Sequence, residues 1–213
     1  GLADGTTQRP MMQGESTVGL SGGFGALKIG RSLTAFQGPV NGTDPYGTLT
    51  QGSTAALTAG YATDIDFGTS GSGAGRTDAV TYNSPAMNGV SVGVSYGFKN
   101  SASSGASVVG TGNLTSVWAS YAAGKLTLGA GQEKNRTGDK VTAFTAIYDL
   151  GVAKVGAGMS TVDTVANTSS VNGKNSNFMV AVPMGAITGT LGMSTVKAPI
   201  TAAKATKTAV GAT

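Results

Sequence analysis

The residues best placed to do chemistry are charged, and they gather around one segment. Asp44, Asp64 and Asp66 lie within residues 33–76, while Lys28, Arg31 and Arg76 stand at or near its two ends. The chemistry they offer is electrostatic rather than covalent. The chain has no His and no Cys, which excludes Ser-His-Asp and Cys-His nucleophiles, the usual zinc sites, haem attachment and disulfides. Three acids on one long segment form no convergent acid–base set, so the chain does not read as an enzyme. Asp64-Ile65-Asp66 is too sparse to specify a Ca²⁺ site. Gly71-Ser72-Gly73-Ala74-Gly75 lacks the Lys and the following helix of a phosphate-binding loop. No cofactor and no metal is implied. The net charge is +4, and the 14 basic residues occur singly along the chain, so no nucleic-acid-binding patch is expected.

The elements that must position these residues are strands. Val90-Ser91-Val92-Gly93-Val94-Ser95-Tyr96-Gly97-Phe98 alternates strictly between apolar residues and Ser or Gly, the period of a strand with two unlike faces. Residues 125–131, 153–160 and 187–194 repeat the pattern. It predicts strands at 16–21, 26–32, 79–85, 89–98, 114–122, 125–132, 140–150, 152–160, 176–184 and 186–195, with a further one beginning near 208. Short Gly- or Asn-containing turns alternate with longer connections at about 33–76, 99–113, 133–139, 161–175 and 196–207. Tight turns at one end and long loops at the other are the plan of a transmembrane β-barrel. A soluble secreted or surface β protein with a structural or adhesive role also fits alternation. Two details favour the barrel: the polar face is mostly Gly, Ser and Thr, and Tyr96, Phe98, Tyr121 and Tyr148 sit near strand ends, where interfacial girdles place aromatics. Charged residues are only 11% of the chain, no apolar run reaches the ~20 residues of a membrane-spanning helix, and no basic segment followed by an apolar stretch opens the sequence. Trp118 shares the small-residue face with Ser116 and Ser120; alternation leaves open whether that face meets the lumen or an interface. Pro183 marks a strand end or edge.

Ser16-Thr17-Val18-Gly19-Leu20-Ser21-Gly22-Gly23-Phe24-Gly25, followed by Leu27-Lys28-Ile29-Gly30-Arg31, resembles the strand, turn, strand and Gly-Arg that precede the constriction loop of Gram-negative general porins, most closely the trimeric porins of β-proteobacteria. Arg76 to Pro85 resembles the strand after that loop, and Met87-Asn88-Gly89-Val90 the next turn. Ser120-Tyr121-Ala122-Ala123-Gly124-Lys125-Leu126 and Tyr148-Asp149-Leu150-Gly151-Val152-Ala153-Lys154 resemble later hairpins.

The resemblance implies an all-β fold: a single antiparallel transmembrane β-barrel domain over residues 1–213, of about 16 strands in the complete family member with about ten or eleven present here. An open sheet would present unpaired edges to lipid, so the sequence reads as an internal piece of a longer porin without its first and last strands. The resemblance also implies passive diffusion of ions and small polar solutes across the bacterial outer membrane, contact with membrane lipid and lipopolysaccharide, and a homotrimer. Segment 33–76 would then fold inward as a constriction, with Asp44, Asp64 and Asp66 facing Lys28, Arg31 and Arg76. Opposed charges across a narrow aqueous gap create a transverse field that selects permeants by charge. Strict alternation turns Lys28 inward and Arg31 toward lipid; a bulge at Gly30 would re-aim Arg31, and the resemblance places this arginine on the basic wall. The plainer reading makes Arg31 and Arg76 anchors of the loop ends. Gly14-Glu15 stand where the family often carries an arginine, which leaves at most a weak anion preference. Lys154 alternates inward with Gly156 and Gly158.

Overall fold

The computed structural model describes residues 15–43, 57, 77–98, 112–165, 173–197 and 204–212. Asp44, Asp64, Asp66 and Arg76 lie outside the described residues. Eleven strands form one sheet in chain order: β1 (Ser16–Gly22), β2 (Gly25–Ser32), β3 (Thr77–Asn83), β4 (Val90–Gly97), β5 (Leu114–Ala123), β6 (Leu126–Lys134), β7 (Lys140–Asp149), β8 (Lys154–Asp163), β9 (Gly173–Met184), β10 (Ile187–Lys197) and β11 (Lys204–Ala212). Each pairs antiparallel with its sequence neighbours, as hairpins demand. Among the described residues β1 and β11 are the edges of the sheet.

Alternation fixes the two faces. In β4, Val90, Val92, Val94 and Tyr96 are exposed on one side, while Gly93, Ser95 and Gly97 are buried on the other. The pairing carries this parity across the sheet: Val94 stands opposite Tyr82 and Val117, and Phe144 opposite Ala130 and Met159. The outer face is therefore a continuous apolar surface that includes Val18, Leu20, Tyr121, Leu128, Phe178 and Leu191, all exposed. An exposed apolar surface of this extent suits hydrocarbon rather than water. Its aromatics lie toward both ends, with Tyr121 and Tyr148 near the short turns and Tyr96 and Phe98 near the long connections. The last two meet edge to face at 5.1 Å.

The short turns work because their φ angles suit their residues. Asn88 and Gly89 both have positive φ, 51° and 82°, the geometry that a two-residue Asn-Gly hairpin turn needs. Pro183 lies two residues beyond the last β8–β9 pair, opposite Thr188 of β10, so its missing N–H falls at a strand end. The strands β6, β9, β10 and β11 extend further toward the long connections than the apolar pattern predicts. The added residues, such as Gly173-Lys174-Asn175 and Lys204-Ala205-Thr206, are mostly polar or small, and the apolar signal fades where a strand leaves the hydrocarbon.

Candidate functional site

The buried part of the inner face is rich in small polar side chains: Thr81, Ser95, Ser116, Ser160, Asn175, Asn177, Thr190 and Ser194 are all buried there. What buries the middle of it is the segment after β2. Residues 34–36 lead into a four-residue helical turn, α1 (Gln37–Val40), and a 3-10 turn over Asn41–Thr43. This segment lies across the inner sides of β4 to β9 and is held by a series of side chains from successive strands.

The attachments run in order. Ser95 of β4 accepts from Ala35 N–H at 2.9 Å, and Ser116 of β5 from Phe36 N–H at 3.0 Å. Glu133 of β6 is fully buried and accepts from both the Thr34 hydroxyl and the Gln37 side-chain amide, the latter at 3.3 Å. Asn177 of β9 donates to Thr43 Oγ1 at 2.7 Å, and Ser160 of β8 to the Leu57 carbonyl at 2.5 Å. Small hydroxyls and amides are well suited to such attachment, because each is short enough to stay on the wall and offers the partner that a loop's backbone would otherwise lack.

Between these bonds lies a compact apolar cluster. Phe36, Val40 and Leu57 pack with Trp118, Val141, Ala143 and Val162. Phe36 meets Trp118 edge to face at 5.6 Å. Trp118 therefore belongs to the inner face, and its indole Nε1–H donates to Ser120 at 2.8 Å. Its ring needs glycine beside it: a Cβ at Gly129 would stand 2.3 Å from Trp118 Cζ2. Likewise a Cβ at Gly158 would stand 2.6 Å from Leu57 Cδ1, and one at Gly93 2.9 Å from Ala35 Cβ. The inner-face glycines are the floor on which the segment rests.

The charged residues divide. Lys28 pairs across Gly19 and Thr81, so it has the inner-face parity of Thr81 and Ser95, whose hydroxyls are 2.8 Å apart. Its ammonium is 3.1 Å from Glu15. Arg31 stands opposite Ser16 and Asp78, on the parity of Ile29. The ladder runs through Gly30 without an inserted residue, but Gly30 has φ 126°, so the backbone is irregular immediately before Arg31. Lys154 lies 4.0 Å from Asp149 near the short-turn end.

Two charged residues of structural weight carried no sequence signal strong enough to single them out. Glu133 keeps the parity of Gly129 and Gly131, and extending β6 by two residues would have put a carboxylate on the wall. Arg136, in the β6–β7 connection, donates to the Phe98 carbonyl at 3.0 Å, Thr77 Oγ1 at 2.9 Å and the Asp78 carbonyl at 3.1 Å. It pins the start of β3 to the end of β4. Among the described residues, no three His, Cys, Asp or Glu come together as a metal site would need.

A sequence model described as Gram-negative porin matches residues 2–213. Among solved structures, a porin refined at 1.8 Å superimposes with a TM-score of 0.63 at 22% identity, over 92% of this chain and 69% of that one. The outer membrane protein OmpT of Vibrio cholerae superimposes at 0.59 and 17% identity over 90% of this chain and 61% of its own, and its form lacking loop L8 at 0.62 and 18% over 90% and 65%. The chain thus spans about two thirds of the length of these solved proteins. No curated protein sequence matches.

Proposed function

The chain belongs to the Gram-negative porin family, with its place in the bacterial outer membrane, and on that premise we propose that it forms the wall and constriction of a passive channel for ions and small polar solutes. The observation that carries this is the docking of residues 34–43 and Leu57 across the inner face, opposite the apolar outer surface. A segment held there by wall hydroxyls narrows whatever passage the sheet encloses. An apolar outer face and a covered polar inner face do not suit the structural or adhesive role that alternation left open.

The finer properties are part of the same proposal. Segment 33–76 forms the constriction; Lys28, Arg31 and Arg76 supply positive charge, and Asp44, Asp64 and Asp66 negative charge. The Lys28–Glu15 pair offsets one basic group, so the preference for anions is weak. The working unit is a homotrimer. The test is reconstitution of the full chain in a planar bilayer under a KCl gradient. Expected are ohmic conductance steps, a reversal potential slightly on the anion side, and a native mass three times that of one chain. Absence of any conductance from correctly folded protein would overturn the channel reading.

A further inference from the structure

A single short stretch of chain holds both ends of the segment that follows β2. Glu133, near the end of β6, accepts from Thr34 and from the Gln37 amide at 3.3 Å, close to where the segment leaves β2. Arg136, in the β6–β7 connection, donates from Nη1 to Thr77 Oγ1 at 2.9 Å, at the first residue of β3, where the chain has returned to the wall. The guanidinium also fills a gap in the sheet. β3 and β4 pair from Val80–Tyr96 to Asn83–Gly93. Continued register would set Asp78 opposite Phe98, and there the guanidinium stands between the two carbonyls, 3.1 Å from that of Asp78 and 3.0 Å from that of Phe98. Gly97 leaves room for it, since a Cβ there would lie 2.9 Å from Arg136 Nη2. Carbonyls that face each other need a donor between them, and Arg offers several in a rigid fork.

An arginine side chain is rich in rotamers, so a fork held in one place needs a fixed base. The base is a loop that closes on itself. Asn135 N–H donates to the Asp139 carbonyl at 2.9 Å, and Asp139 N–H to Asn135 Oδ1 at 2.8 Å. The Asp139 carboxylate accepts from Asn135 Nδ2 at 3.1 Å, and the Thr137 hydroxyl lies 2.6 Å from Asn135 Oδ1 and 3.1 Å from Asp139 Oδ2. Gly138 supplies the positive φ, 98°, that the turn requires. Asn135 is fully buried. Two more bonds tie the loop to its neighbours. Gly112 N–H, shortly before β5, donates to the Arg136 carbonyl at 2.9 Å, and Val165 N–H, shortly after β8, donates to Asp139 Oδ1 at 2.8 Å.

We propose that Asp139 is a positioning residue of the channel: it closes the loop that aims Arg136, and Arg136 fixes the point at which the constriction segment rejoins the wall. The inference rests on the reading of residues 33–76 as the constriction. It adds that the width of the passage is set from outside the segment, by a carboxylate whose hydrogen bonds go to Asn135, Thr137 and Val165.

The experiment uses the full chain in detergent micelles and in planar bilayers. The first readout is proton exchange at Arg136 Nε–H, followed by NMR, because that proton is bonded to the Phe98 carbonyl. Asp139→Ala should speed it up about tenfold, the factor for losing a hydrogen bond to a charged acceptor at a half-exposed site. Strand amides such as that of Val94 should keep their protection. The second readout is single-channel conductance in potassium gluconate relative to potassium chloride. It should rise in Asp139→Ala, because a loosely held constriction passes the larger anion more readily. Thr137→Val removes an exposed hydroxyl from the same closure; it should move both readouts in the same direction by a smaller factor, and it carries the test where Asp139→Ala does not fold. Thr142→Val loses an exposed bond to Gln132 between the same two strands and should change neither. A carboxylate that served only to hold Val165 would leave exchange at Arg136 unchanged, and that result overturns the proposal. Faster exchange with an unchanged conductance ratio overturns it as well. Phe36→Ala separates this inference from the reading beneath it. A ratio raised by Phe36→Ala but not by Asp139→Ala removes Asp139 and leaves the constriction standing; a ratio raised by neither removes both.

Discussion

Replacing Phe36 by Ala should free the docked segment without unfolding the sheet. Phe36 is fully buried and contacts Trp118 edge to face. Removing a buried phenyl ring costs about 3–5 kcal/mol where the site cannot collapse, and the aromatic pair accounts for about 1 kcal/mol beyond area. The wall beneath is a rigid ladder, so little collapse is available. The hydrogen bonds accepted by Ser95, Ser116 and Glu133 remain, so the lower figure of about 3 kcal/mol is the appropriate one for local opening. At 1.4 kcal/mol per decade this raises the open population about a hundredfold. Val40 N–H reports it directly, because it bonds to the Phe36 carbonyl at 3.1 Å. Amide exchange in detergent micelles should therefore speed up about a hundredfold at Val40, while strand amides such as those of Val94 and Val117 keep their protection. Less than a threefold change at Val40 would show that the apolar cluster does not hold the segment. Equal acceleration of the strand amides would show that the segment and the sheet open as one unit, which would equally refute the reasoning.

Removing Glu133 should loosen the same segment by another route: Glu133→Ala leaves Thr34 and Gln37 without their buried acceptor, at about 1.5–3 kcal/mol, read as a lower urea midpoint, with Glu133→Gln intermediate. Arg136→Ala should cost about 1.5–3 kcal/mol by releasing its bonds to two carbonyls and Thr77, and Arg136→Lys should restore little of it, since one ammonium cannot span three directed acceptors; the midpoint again measures both. Under the proposed pore, Arg31→Glu should move the reversal potential toward cations in dilute salt, because a unit charge 4 Å from an ion contributes about 4 kcal/mol at an effective dielectric near 20 and screening fades at low ionic strength; an unchanged potential would leave Arg31 as an anchor. Glu15→Gln should shift it toward anions by unpairing Lys28, with less than about 1 kcal/mol lost in stability.

The sheet was legible because its signal is local. Val90 to Tyr96 declares its two faces within seven residues, and the Asn88-Gly89 turn declares the hairpin. The beginnings of β9 and β11 were not legible, because Gly173-Lys174-Asn175 and Lys204-Ala205-Thr206-Lys207 lie beyond the apolar band that creates the pattern. Docking of the long segment was legible only as excess length. Thr34 and Glu133 are 99 positions apart, and Asn177 and Thr43 are 134; no local rule says which strand a segment will touch.

Those separations also impose an order of events on assembly. The segment 34–43 emerges early in the chain, yet its partners are spread from Ser95 to Asn177. Ser116 and Asn177 stand at fixed positions under it only once β4 to β9 have paired. Loop closure over such distances is favourable only after the intervening strands have shortened the path. Docking is therefore the late step, and until it occurs Trp118 faces water and the Glu133 carboxylate is solvated. In a refolding experiment, strand circular dichroism should rise first and the Trp118 emission should move to the blue afterwards, as a separate and slower phase.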